Sequence, residues 1–319
     1  MSEFDLIQRY FTRPASSAIL GVGDDAALLR VGEGMELAVS TDMLVSGTHF
    51  FPEADPFLLG YKTLAVNLSD MAAMGATPRW ATLALALPDV NETWLQKFST
   101  GFFALADEYR VELIGGDTTR GPLNLCVTIM GEVPRDQALR RNGAQAGDDI
   151  WVSGELGEAA LGLAYLQSEI ELAEEPRISC LAALHQPRPR VALGLALRGI
   201  AHSAIDISDG LLADLGHILE CSHVAAEVRY DRLPISPIFE CCVENRIELT
   251  QRCVLSGGDD YELCFTVPVA RRAEVETLAI RLHLPLTRIG KIVSGSGCKV
   301  RAGNGSVITI EKGGYEHFA

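Results

Sequence analysis

The stretch Ala204-Ile205-Asp206-Ile207-Ser208-Asp209-Gly210-Leu211-Leu212-Ala213-Asp214-Leu215-Gly216-His217-Ile218 joins an apolar run to a helical one through a turn rich in oxygen atoms. Residues 204–208 read as a strand, and residues 211–221 carry apolar side chains at helical spacing. Between them lie two aspartates and a serine, at a helix start where backbone N–H groups and the helix dipole favour an anion. Working outward, short apolar runs alternate with longer periodic segments, the pattern of a mixed α/β protein. Downstream, strands are expected near 224–230 and 261–267, a helix at 270–283, and short strands at the C-terminal end. Immediately upstream come a strand at 150–153 and helices near 157–167, 177–185 and 190–198. The polar, glycine-bearing stretch from Pro134 to Asp149 separates this block from an N-terminal one. Two domains are therefore expected, 1–135 and 136–319.

In the N-terminal block an amphipathic helix is expected at 3–11 and strands at 26–30, 36–41, 80–87, 111–114 and 123–133. A helix from Pro56 to about Met74 has Asp55 as its cap, Pro56 in its first turn and Gly75 beyond its end. Another spans about 92–109. No period of 20 to 50 residues recurs, which excludes a solenoid or propeller.

The 319 residues are 48% apolar and 22% charged, a folded composition rather than a disordered one. The apolar runs are too short, or too broken by Asn67, Ser69 and Asp70, to span a bilayer. The first residues are acidic where a secretion signal is basic, so the cytoplasm is expected. A formal net charge of -15 has the wrong sign for nucleic acid or an anionic membrane. It leaves small anions open, because metal ions held by acids invert the local field. The eight cysteines form no C-x-x-C pair and read as reduced core thiols.

No P-loop, dinucleotide-binding glycine fingerprint, protein-kinase signature or H-E-x-x-H is present. What recurs is aspartate at the ends of apolar runs: Gly23-Asp24-Asp25, Ser40-Thr41-Asp42, Gly115-Gly116-Asp117, Asp206-Ile207-Ser208-Asp209 and Gly257-Gly258-Asp259-Asp260. Each is read as a turn offering carboxylate or hydroxyl oxygen, the ligand type of hard cations. The paired glycines before Asp117 would let N–H groups approach a phosphate. Asp70 lies inside a helix beside Val66, Ala73 and Met74, so burial there demands an arginine, a donor network or a metal, unless that face is exposed. Any one of these is ordinary turn chemistry. Together they suggest a site for several metal ions.

The blocks GVGDDAAL, STDMLVSGTHF, KTLAVNLSDMAAMGA, LIGGDTTRG, AIDISDGLLADLGHI, LSGGDDYEL and GGYEHF, in this order along the whole chain, resemble the thiamine-monophosphate kinase family. Its superfamily includes aminoimidazole ribonucleotide synthetase and selenophosphate synthetase. The resemblance implies the two-domain aminoimidazole ribonucleotide synthetase-like fold, with an N-terminal domain that pairs strands across a homodimer and a C-terminal α/β domain that completes the nucleotide and substrate site. It implies Mg²⁺-dependent transfer of the ATP γ-phosphate directly to thiamine monophosphate, the last step of thiamine diphosphate synthesis, with no acid–base residue. The implied Mg²⁺ ligands are Asp25, Ser40, Thr41, Asp42, Asp70, Asp117, Asp206 and Asp209. Gly116, Asp117, Arg141 and Ser208 are implied to contact ATP, and His49, Asp259 and Tyr315 to line the thiamine monophosphate site. The family often has Glu where this chain has Asp259, one methylene shorter, so that a water could intervene. Two other readings remain: a synthetase of the same superfamily with a different acceptor, and a non-catalytic nucleotide- or metal-binding regulator. Selenophosphate synthetase itself fits poorly, because no cysteine precedes Cys126.

Overall fold

The computed structural model describes residues 3–310 and 313–318. The chain divides into two compact units, the first ending at Asp136 and the second beginning at Gln137, with Ala72–Gly75 grouped with the second.

The first unit contains α1 (Glu3–Tyr10), β1 (Met35–Val45), α2 (Pro56–Ala73), β2 (Thr77–Leu87), α3 (Glu92–Tyr109), β3 (Glu112–Arg120) and β4 (Asn124–Pro134). Its strands form one sheet in the order β1-β4-β2-β3, antiparallel except for the β2–β3 pair. The expected cap of α2 is present: Asp55 Oδ1 accepts from the N–H groups of Phe57 at 2.9 Å and Leu58 at 3.2 Å. Strand alternation sorts the sheet into two faces. Leu83, Leu85, Leu125, Val127 and Ile129 are buried on one face, and Leu64, Leu68, Phe98 and Phe102 of α2 and α3 are buried with them in the core. The other face leaves Leu37, Val39 and Met43 of β1 at 42%, 55% and 52% exposure.

Three readings of this unit need correction. Residues 26–30 form no strand; Leu28 makes only an isolated bridge with Leu20. Ser40, Thr41 and Asp42 do not close a strand but lie in the middle of β1. Gly115 to Arg120 is not a turn either, because β3 runs straight through it. A bulge makes this possible: Leu113 pairs with Ala81 and Gly115 with Thr82, leaving Ile114 as the extra residue. Gly116 is required by that packing, with φ +150° and the Leu83 carbonyl oxygen 1.9 Å from where a Cβ would stand. Its lack of a side chain is what allows this strand contact.

The second unit contains β5 (Asp149–Ser153), α4 (Glu158–Leu166), α5 (Glu174–His185), α6 (Val191–Leu197), β6 (Ser203–Asp206), α7 (Leu211–Ser222), β7 (Ala225–Arg229), α8 (Pro237–Cys242), α9 (Ile247–Gln251), β8 (Leu263–Val267), α10 (Arg272–Leu282), β9 (Leu286–Val293), β10 (Gly297–Arg301) and β11 (Val307–Ile308). Seven strands make a mixed sheet in the order β11-β10-β7-β9-β5-β8-β6. Helix α7 buries Leu211, Leu215, Ile218 and Leu219, one face at helical spacing, in a core with Ile150, Ile205, Val228 and Cys264. Helices α8 and α9 were not foreseen, nor was the π-helical turn Arg252–Ser256 that leads into the Gly257-Gly258 turn. All eight cysteines are free thiols; Cys180, Cys253 and Cys264 are buried, but Cys221 and Cys241 are exposed and so depart from the core reading. No described helix is long and apolar enough to cross a membrane.

Candidate functional site

In the first unit the site residues divide between the two faces of the sheet. Ser40 and Asp42 share the face that α2 covers, because their partners Ile129 and Val127 on β4 are core residues. Ser40 Oγ donates to Asp70 Oδ2 at 2.6 Å, so the carboxylate inside α2 has its donor. The Asp42 N–H donates to Asn67 Oδ1 at 3.3 Å, and Asn67 Nδ2 is held by the Thr63 carbonyl at 3.1 Å. Polar residues of α2, one turn apart, thus face a polar stripe of β1.

Thr41 points the other way. Its hydroxyl lies 2.8 Å from that of Thr128 on the opposite face, so Thr41 is not brought together with Ser40 and Asp42. Asp117 shares that opposite face: it pairs with Ala84, Ala84 with Cys126, and Cys126 with Met43. Two strands separate β1 from β3, so at about 4.8 Å per strand the two edges lie about 14 Å apart. Asp42 and Asp117 of one copy therefore cannot share an ion. In the turn after β1, His49 Nδ1 accepts from the Val45 N–H at 3.0 Å, which leaves Nε2 as the protonated nitrogen of a neutral ring.

Asp25 is exposed in the segment before β1, where its N–H donates to Asp24 Oδ1 at 2.9 Å. That segment is latched at its start by Glu112, the first residue of β3. Glu112 Oε1 accepts from Ser16 N at 2.7 Å, Ser16 Oγ at 2.9 Å and Ser17 N at 3.1 Å, and Oε2 from Ser17 N at 3.0 Å and Ser17 Oγ at 2.5 Å. Burial raises this carboxyl's pKa, but the bonds from Ser17 and Ser16 outweigh it and hold the group below its ordinary value. Sequence reading missed this residue.

In the second unit three stretches far apart in sequence interlock. The Asp259 N–H donates to the Ser208 carbonyl at 2.9 Å, the Tyr261 N–H to the Ile207 carbonyl at 2.8 Å, and the Tyr315 N–H to the Asp209 carbonyl at 3.0 Å. Gly258 lies so close that a Cβ there would stand 2.3 Å from the Ser208 carbonyl oxygen. Asp259 and Tyr261 are held at φ +69° and +49°, a left-handed backbone that costs non-glycine residues energy and recurs at functional sites. Ser208, Asp209, Asp259 and Tyr315 are thus brought together. Arg141 lies in a short helix whose carbonyl accepts from Ser222 Oγ at 2.8 Å, at the end of α7 and not at its start.

Three N–H groups in the turn before α7 are not open to an outside anion. Those of Ser208, Asp209 and Gly210 all donate to Asp214 Oδ2, at 3.0, 3.1 and 3.1 Å. Sequence reading missed Asp214 as well, although an acid in the first turn of a helix is a recognisable signal. Burial, then the neighbouring Asp206 and Asp209, raise its pKa to about 7. The carboxyls of Asp206 and Asp209 crowd negative charge beside Asp214, a setting that suits a divalent cation. Among the described residues no three His, Cys, Asp or Glu side chains form one metal-binding group. Ser40, Asp42 and Asp70, which lie at one face of the sheet, and Asp206 and Asp209, which both neighbour Asp214, fit Mg²⁺, which takes one or two carboxylates and completes its shell with waters and substrate phosphates.

Residues 23–133 match the family AIR synthase related protein, N-terminal domain, and residues 145–303 its C-terminal domain. The thiamine-monophosphate kinase of Escherichia coli strain K12 is 49% identical over 99% of this chain and 98% of its own length. The crystal structure of the thiamine-monophosphate kinase of Stenotrophomonas maltophilia K279a is 52% identical, covers 93% of this chain and 94% of its own, and superposes with a TM-score of 0.85. A solved complex of AaThiL with AMPPCP and TMP is 30% identical over 99% of this chain and 96% of its own, with a TM-score of 0.79. Matched along its length by both domain types and by relatives of one activity, the chain belongs to the thiamine-monophosphate kinase family, on the AIR synthase-related two-domain fold.

Proposed function

We propose that the chain carries out thiamine-monophosphate kinase chemistry by metal-assisted positioning, with Mg²⁺ held by Asp25, Ser40, Asp42, Asp70 and Asp117 of the first unit and Asp206 and Asp209 of the second. The activity itself, ATP-dependent phosphorylation of thiamine monophosphate, follows from family membership. The acceptor is a phosphate oxygen already ionised near neutral pH, so no general base is needed. The obstacle is repulsion: two unit charges about 4 Å apart repel by about 1 kcal/mol in water and about 4 kcal/mol at an effective dielectric of 20, and two phosphorylated substrates present several such pairs. Bound Mg²⁺ supplies the charge neutralisation that lets donor and acceptor meet in line. In this reading Ser208 and Arg141, with Gly116, contact ATP. Asp259, Tyr315 and the neutral ring of His49 orient thiamine monophosphate. Asp259 reaches its substrate group directly or through one water.

The observation that carries the reading is the interlock of Ser208, Asp209, Asp259 and Tyr315. Backbone hydrogen bonds join the three separate stretches that carry the residues read as nucleotide, metal and acceptor contacts, which supports the reading. Turnover of ATP and thiamine monophosphate to thiamine diphosphate tests it, with other phosphorylated and unphosphorylated acceptors as controls. ATP turnover that ignores thiamine monophosphate and follows another acceptor would overturn it, and Mg²⁺-dependent ATP binding without turnover would favour a regulator instead.

We further propose a homodimer in the cytoplasm, built on the exposed face and free edges of the first unit's sheet. Among the described residues β1 pairs only with β4, and β3 only with β2. A second copy whose β3 edge lies along β1 brings Asp117 of the partner subunit beside Thr41 and Asp42. It also covers Leu37, Val39 and Met43 and removes two exposed strand edges.

A further inference from the structure

The turn that carries Ser208 and Asp209 is shaped from within by Asp214. This side chain is 3% exposed and sits in the first turn of α7. Its Oδ2 collects the N–H groups of three consecutive residues, Ser208, Asp209 and Gly210, at 3.0 to 3.1 Å. With all three N–H groups turned inward to one oxygen, the peptide planes are fixed and their carbonyls face outward. All three of those carbonyls do the joining already described: Ile207 O accepts from the Tyr261 N–H at 2.8 Å, Ser208 O from the Asp259 N–H at 2.9 Å, and Asp209 O from the Tyr315 N–H at 3.0 Å. A missing group at 214 leaves a partly buried cradle of donors without its acceptor, and a neutral one weakens those bonds, so that the turn is free to rotate toward water.

We propose that Asp214 is a positioning residue for phosphoryl transfer: an internal carboxylate that occupies the anion cradle in the turn before α7, fixes the backbone that carries Ser208 and Asp209, and holds the Asp259 and Tyr315 segments against it. The inference rests on the reading of Asp206 and Asp209 as Mg²⁺ ligands. It assigns Ser208 to ATP through its hydroxyl, since its N–H is engaged inside the turn.

The test measures steady-state turnover against free Mg²⁺ at saturating ATP and thiamine monophosphate, with a thermal midpoint for each variant. Residues that orient metal ligands shift metal affinity or activity by roughly 10- to 100-fold when changed. Asp214→Asn, which keeps the volume and one acceptor oxygen, is expected to raise the half-saturating Mg²⁺ concentration by about 10-fold with little change in midpoint. Asp214→Ala is expected to shift it by about 100-fold, with formate, a free carboxylate small enough for the cradle, restoring part of the loss. A merely structural role lowers the midpoint and leaves the Mg²⁺ curve in place, and that result overturns the inference. Should Asp214→Ala fail to fold, the Asp214→Asn curve decides. Asp209→Asn runs in parallel. If it leaves the Mg²⁺ curve unmoved, the ligand reading fails and this inference with it. If it moves the curve while Asp214→Asn does not, only the positioning role fails.

Discussion

Replacing Glu112 by alanine should release the segment that carries Asp25 without unfolding the domain around it. Glu112 accepts five hydrogen bonds from Ser16 and Ser17. The site is exposed, so each bond is taken at the low end of the net range, about 0.5 kcal/mol, and a further discount for overlap leaves about 2 kcal/mol for the latch. At 1.4 kcal/mol per tenfold, that is about a 30-fold rise in the open population of the segment. Hydrogen exchange reads this directly, because the Ser16 and Ser17 amides are themselves donors to the carboxylate. In Glu112→Ala their protection should fall about 30-fold at neutral pH, while amides of β2 and β4 keep theirs. The sign of the pH dependence follows from the lowered carboxyl: the latch is fully present above the unfolded value, about 4.3, and is lost as pH falls through the lower folded value. Unchanged Ser16 and Ser17 exchange in the variant, or protection in the native protein that is lost on raising the pH through the carboxylate range, refutes the reasoning.

Gly258→Ala puts a Cβ 2.3 Å from the Ser208 carbonyl oxygen and should cost about 3 kcal/mol in denaturant unfolding, with turnover lost even where the variant remains folded. Val39→Asp places a charge on the exposed face of β1 and should convert the proposed dimer to a monomer by light scattering; a native chain that is already a monomer, or an unchanged dimer mass in the variant, would overturn the proposed interface. If the site is shared between copies, Asp42→Asn and Asp117→Asn, each inactive alone, should recover roughly a quarter of native activity after mixing and subunit exchange, because half of the dimers are mixed and each holds one intact site. No recovery in demonstrably mixed dimers would place both residues in the same copy's site.

Much of the architecture could be read from local pattern. The α2 cap at Asp55, the alternating leucines of β2 and the apolar face of α7 are signals carried by neighbouring residues, and each appears where expected. What escaped reading depends on distant partners. Gly115-Gly116-Asp117 looks like a turn, yet a bulge at Ile114 and the Leu83 carbonyl make it a strand. The run Ser40-Thr41-Asp42 reads as three ligands in a row, but inside a strand neighbouring side chains point to opposite faces, which separates Thr41 from the other two. The anion cradle before α7 was legible as a cradle. Its occupant was not, because Asp214 looks like an ordinary first-turn acid until its three donors are seen together. Glu112 likewise gains its meaning only from serines 95 and 96 residues away.

The most direct measurement is thiamine diphosphate formation as a function of Mg²⁺ for the native chain, Asp42→Asn and Asp70→Asn. The native chain should be inactive without Mg²⁺ and saturate as it is added. Both variants should lose at least about 100-fold in turnover, only part of it regained at high Mg²⁺. Near-native turnover of both variants at saturating Mg²⁺, or undiminished turnover of the native chain after complete chelation, would contradict the assignment of these aspartates to metal-assisted phosphoryl transfer.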